Sequence, residues 1–230
     1  MQNNMKELYF NNISLLKYID RTISFLRIQN YYKGLKYFTK TLDILLETTQ
    51  DILNNTSYFN EEQVVIEEDY LNLILTKLLD VQNSADYILL SDELEYRWLP
   101  FITSLQEIII NRDGISLFEG IYDNNINKLA IKDKELYKKF KNDGIYDLNI
   151  DNYEVEFTSC GLMTISKVLS NKKFYYHSNG HIMREAALLA REWYSADKGE
   201  YIVFGFGFGY HIRELAEIDE SITIHIYESD

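Results

Sequence analysis

The chain has 230 residues, 46% of them hydrophobic, with a formal net charge of -13 at pH 7. That apolar fraction argues for a packed globular protein and against disorder, while the acidic balance argues against a general grip on nucleic acid. The longest apolar runs fall far short of the ~20 residues of a membrane-spanning helix, so neither membrane nor nucleic acid is an expected partner. The opening MQNNMKELYF lacks the basic, apolar and small-residue layout of a signal peptide.

From Asn12 onward, Ile13, Leu16, Ile19, Ile23 and Leu26 recur in steps of three and four, which places them on one helical face. Leu35, Phe38, Leu42, Leu45 and Ile52 give a second stripe. Leu71, Ile74, Leu78, Val81, Ala85 and Ile88 give a third, and Leu94, Trp98, Phe101, Leu105 and Ile108 a fourth. Short polar connections join them, so residues 1–112 are expected to form an antiparallel helical bundle. Pro100 either kinks the last helix or marks its restart. The acids Glu61, Glu62, Glu67, Glu68 and Asp69 read as a solvated face, because a di-metal bundle wants inward Glu-x-x-His pairs and the first histidine is His177. Residues 113–145, with the Lys-rich run KDKELYKKFKNDG ended by Gly144, read as a helical connector.

The period changes near Tyr146, and 146–230 is expected to be an α/β domain. Tyr153, Val155 and Phe157 alternate with Glu154 and Glu156, a half-buried strand. A turn at Cys160-Gly161, a strand over 162–169, a turn over 170–173 and a strand over 174–176 complete a β-meander. Cys160 is the single cysteine, so no internal disulfide can form and a reducing cytoplasm is the expected compartment. Ser178 or Asn179 can cap a helix with Ile182, Ala186, Leu189 and Trp193 on its apolar side. His177 and His181 are four apart, but no third ligand accompanies them, so no metal site is expected.

The stretch YIVFGFGFGYHIRELAEIDESITIHIYESD then reads as strand, glycine turn, helix, strand and acid. Gly205, Gly207 and Gly209 remove side chains where backbone N–H groups approach a bulky anion, and the helix after them aims its positive end there. His211 and Arg213 lie in its first turn. Glu228 follows Gly209 by nineteen positions, close to the ~20 at which an acid meets ribose hydroxyls. The expected fold is therefore α+β or α/β, with a partial Rossmann-like βαβ unit that lacks further strands by Asp230. Tyr210 stands where the dinucleotide fingerprint wants its third glycine, which argues against NAD. The P-loop pattern is absent. The turn also resembles that of S-adenosylmethionine-dependent methyltransferases, except that Val203 occupies the place of their acid. Arg184 and Arg213 are matched either to a phosphate or to glutamates of their own helices.

The segments HSNGHIMREA, YIVFGFGFGYHIREL and IYESD together resemble the N-terminal region of the motility accessory factor glycosyltransferases, over roughly residues 115–230. The matching positions are His177, Ser178, Glu185, Ala186, Gly205, Gly207, Gly209, Tyr210, His211 and Glu228. The resemblance implies transfer of a nucleotide-activated nonulosonic acid to serine or threonine of flagellin. The nucleotide would be of the cytidine type, and His177, Ser178 and Arg184 would lie on the substrate side. The family's central catalytic domain lies beyond the matched region, so the chain alone is expected to be inactive. A non-catalytic interaction module, self-associating or docking flagellin, and a methyltransferase-like fragment are the alternatives.

Overall fold

A computed structural model describes residues 2–61, 65–142, 153–170, 172–178 and 180–228. Gly144, Tyr146, Asn171 and Asn179, named above as terminator, switch point, turn and cap, lie outside the described residues.

The N-terminal part is helical and the strands come after it. Helix α1 (Gln2–Arg27) begins well before Asn12, because Met5, Leu8 and Tyr9 extend the apolar face and are all buried. The chain reverses through Gln29 and Asn30. Asn30 caps α2 (Tyr31–Asn54) by accepting the Lys33 N–H at 3.2 Å. Phe38, Leu45 and Ile52 of α2 are buried against α1. A short α3 (Thr56–Glu61) buries Tyr58 and Phe59.

Helix α4 (Glu68–Asn83) buries Leu71, Ile74, Leu78 and Val81, but the third stripe stops there. Ala85 takes a left-handed φ of 56°, and the Asp86 carboxylate accepts the Leu89 N–H at 2.9 Å to start α5 (Tyr87–Glu93). The restart shifts the helical register. Ile88 is therefore 68% exposed, whereas Leu90 and Leu94 enter the core. A widened turn over Leu94–Trp98, closed by the Leu99 N–H on the Leu94 carbonyl, leads into α6 (Leu99–Asp113), with Pro100 as its second residue. Glu93, Leu94, Trp98 and Leu99 all keep helical dihedrals, so Pro100 follows a widened turn within a continuous helix and does not mark a restart. Within α6 it is Ile102, Leu105 and Ile109 that are fully buried, while Phe101 and Ile108 flank them. Helices α7 (Ile121–Lys132) and α8 (Lys134–Asn142) follow, and α7 buries none of its residues.

Three strands, β1 (Tyr153–Phe157), β2 (Met163–Leu169) and β3 (Lys172–Tyr175), form the antiparallel meander in the order β1-β2-β3. Val155 faces Ile165 and Ser166 faces Tyr175. The second hairpin is tighter than the sequence suggested. Lys172 already pairs with Leu169, and Ser170 takes the positive φ that a two-residue turn demands. Helix α9 (Ile182–Trp193) leads to a two-stranded parallel sheet of β4 (Glu200–Phe204) and β5 (Thr223–Tyr227), joined through α10 (Tyr210–Ile218). Tyr201, Ala190 and Leu215 form a second small core between this sheet and the two helices.

Helix α1 joins the two parts. One of its faces lies in the bundle core, and another carries Lys17, Asp20 and Arg21 toward α9 and α10. Among the described residues, no helix is long and apolar enough to cross a membrane.

Candidate functional site

The ladder of β4 and β5 runs into the glycine turn. Phe204 pairs with Tyr227, and the Gly205 N–H donates to the Tyr227 carbonyl at 2.8 Å. Glycines 205, 207 and 209 have φ of 85°, 54° and 71°, a left-handed path that side chains oppose. The Gly209 N–H closes the turn on the Phe206 carbonyl at 2.8 Å, and α10 starts at once.

The three glycines serve different ends. A Cβ at Gly207 would stand 2.7 Å from His177 Nε2, and one at Gly209 would stand 2.6 Å from the Phe206 ring. Both positions are small because neighbouring side chains fill the space. Gly205 has nothing within 4 Å of its hypothetical Cβ, so it is the glycine that faces open space.

Two donors of the turn already have side-chain acceptors. The Phe206 N–H donates to Glu228 Oε2 at 2.5 Å, and the Phe208 N–H donates to His177 Nε2 at 3.2 Å. The second bond fixes the His177 tautomer, because Nε2 must be unprotonated to accept. Burial lowers the His177 pKa, with the nearby His211 adding to it and Glu185 opposing. Burial also lowers the His211 pKa, against the pull of the Gly205 carbonyl and Glu185. The two rings lie 5.9 Å apart, and Trp193 packs edge-on against His211 at 5.3 Å. The site therefore holds two imidazoles whose burial favours the neutral form, beside a glycine turn with a carboxylate on its Phe206 N–H.

Of the residues singled out from the sequence, Gly205, Gly207, Gly209, His211, Glu228 and His177 come together here. Tyr210 points away. Its hydroxyl donates to the Met163 carbonyl at 2.8 Å and pins α10 to the meander, and burial pushes its pKa up to about 12. Ser178 does not cap α9, whose N-cap is His181 without a side-chain hydrogen bond; its Oγ accepts the N–H groups of Gly180 and His181 at 3.3 and 3.1 Å in the loop before the helix. Glu185 reaches back to the Ser178 N–H at 2.6 Å. Arg184 pairs with Asp20 of α1 at 2.6 Å, 164 residues away, rather than with its own helix. Arg213 pairs with Glu217 at 3.3 Å, one of the two options the sequence offered. The role of His177 as the prop under Gly207 and Phe208 was missed, since no sequence spacing signals a contact across 31 residues. Among the described residues, no group of three metal-binding side chains comes together.

No family model matches the chain, and no curated protein or solved structure matches it either.

Proposed function

We propose that residues 200–228 are a Rossmann-like nucleotide-binding half, within a chain that corresponds to the N-terminal part of a motility-accessory-factor-like glycosyltransferase. The observation that carries this reading is the placement of Glu228. It directly follows the second of two parallel strands and holds one carboxylate oxygen on the N–H of Phe206, next in the chain to Gly205 with its open face. An acid at the carboxyl end of the neighbouring strand, over a left-handed glycine turn, is how such folds receive ribose hydroxyls. The donor would be a cytidine-type activated nonulosonic acid and the acceptor a flagellin hydroxyl, both from the sequence resemblance. An S-adenosylmethionine site is disfavoured at Val203, which is buried in the sheet core where the methyltransferases place their acid.

Calorimetric titration with cytidine monophosphate tests the reading. The parent is expected to bind, and Glu228→Ala to weaken binding by about 1–3 kcal/mol, the loss of a charge-assisted hydrogen bond. Absence of binding by a folded parent overturns it.

A second reading, a docking module without catalysis, is favoured by the outer face of the β4–β5 pair. Ile202, Phe204 and Tyr227 are exposed there, with Phe204 and Tyr227 stacked at 5.6 Å. Parallel strands are ordinarily covered on both faces, so this one invites a partner, whether flagellin, a second copy or further sheet.

A further inference from the structure

A cleft of about 670 Å³ opens between α1 and α2 on one side and α9 and α10 on the other. This is the size of a small-molecule site. It lies toward the C-terminal end of α10, at the far end of that helix from the glycine turn, so a ligand held here would be independent of any nucleotide at that turn.

Its charge is opposite to that of the molecule. Lys33, Lys36 and Lys40 sit at steps of three and four along α2, one exposed face of that helix, and Arg191 of α9 also lines the cleft. Among the described residues none of these four is in an ion pair. The acids of α10 are committed elsewhere: Glu214 to Arg21 and Lys17, and Glu217 to Lys17 and Arg213. Glu214 and Glu217 line the cleft together with Glu220, and of the three Glu220 has no cation paired to it among the described residues. In a chain of net charge -13, four cations outside any ion pair, in a cleft whose Glu214 and Glu217 are already paired, are a local positive field.

The cleft is also shaped. Phe25 and Tyr37 stack with centroids 5.4 Å apart and planes 9° apart. Arg191 lies 4.7 Å over Phe25, and Lys33 lies 5.6 Å from the same ring. These contacts hold the cations over an aromatic wall, and the small side chains of Ala187 and Ala190 leave the interior empty.

We infer that this cleft binds a diphosphate-bearing small molecule, its phosphates held between the α2 lysines and Arg191. A diphosphate suits the site because the cations approach from two elements, so one anion with several oxygens can engage both.

Inorganic pyrophosphate titrated into the full chain by calorimetry is the test, with sulfate at matched ionic strength as the reference anion. Pyrophosphate is expected to bind at least tenfold tighter than sulfate. Lys33→Ala, Lys36→Ala and Lys40→Ala are each expected to weaken it about threefold to tenfold, and the triple variant about a hundredfold. All three side chains are exposed, so the fold is retained. Glu228→Ala, which removes the acceptor of the Phe206 N–H at the glycine turn, is expected to leave pyrophosphate binding unchanged. Equal affinity for sulfate, or unaltered binding by the triple variant, overturns the inference. So does loss of binding in Glu228→Ala, since the anion would then sit at the turn.

Discussion

Gly205 and Gly207 share a left-handed backbone but differ in their surroundings. Alanine at either position meets the φ penalty, about 1–2 kcal/mol. At Gly207 the added methyl also meets His177 Nε2 at 2.7 Å, and displacing that ring breaks its bond with the Phe208 N–H; overpacking of this kind adds about 1–3 kcal/mol. In urea denaturation Gly207→Ala is therefore expected to lose clearly more stability than Gly205→Ala. Equal losses would mean that His177 does not prop the turn. The imidazoles also set a pH dependence. The ordinary value for both is 6.5 and folding lowers it in each, so the unfolded chain takes up protons first as pH falls. The stability they confer is present above pH 6.5 and is lost as pH drops through their folded values. Denaturation midpoints should fall between pH 7.5 and 5.5. His177→Gln, which keeps an acceptor for Phe208 but cannot titrate, should flatten that fall.

At the scale of the element, the restart at α5 depends on one side chain. Asp86 accepts the Leu89 N–H across a break that Ala85 makes with a positive φ. Asp86→Ala is expected to cost about 1 kcal/mol, read from the urea midpoint, whereas Ile88→Ser on the exposed face should cost almost nothing. If both cost the same, Ile88 belongs to the core as its spacing suggested. This break shows how far periodicity carries. The stripes through Leu16, Leu45, Leu78 and Leu105 name their helices because a face buried along its whole length leaves a repeat in the sequence. The register shift at residues 84–86 leaves none, since Ile88 continues the arithmetic of the previous helix by chance. The meander and the parallel pair were legible from alternation and from the glycines. The division of labour among those glycines was not, because it depends on which distant ring fills the space beside each. The same is true of Tyr210 and Arg184, whose partners Met163 and Asp20 lie 47 and 164 positions away.

For the whole molecule, the question is what fixes the C-terminal part against the bundle. Beside the Tyr9 hydroxyl on the Gly161 carbonyl, Cys160 packed on the bundle core, the Phe118–Phe157 ring contact at 5.7 Å and Arg191 over Phe25 at 4.7 Å, the join includes a charged seam. Asp20 meets Arg184, and Arg21 and Lys17 meet Glu214. Asp20, Arg21 and Glu214 are all buried. Desolvation opposes such pairs: burial is the largest influence on Arg21 and lowers its pKa. A buried pair therefore contributes little net stability against an apolar substitute, but losing one member leaves an uncompensated charge, at a cost of about 3–5 kcal/mol. Arg21→Met alone strands Glu214 with only Lys17 beside it, and Glu214→Leu alone strands Arg21. Each single variant is expected to lower the urea midpoint sharply, while the double variant Arg21→Met with Glu214→Leu should recover most of the loss. High salt should change these costs less than at an exposed pair, because Arg21 and Glu214 are both buried. The Lys17–Glu217 contact at 2.6 Å has one largely exposed partner, so Glu217→Gln should cost less than about 1 kcal/mol and be further masked by salt. If the two single variants were as mild as Glu217→Gln, the seam would be open to water, and the bundle and the α/β part would be held by the Tyr9, Cys160, Phe118 and Arg191 contacts instead.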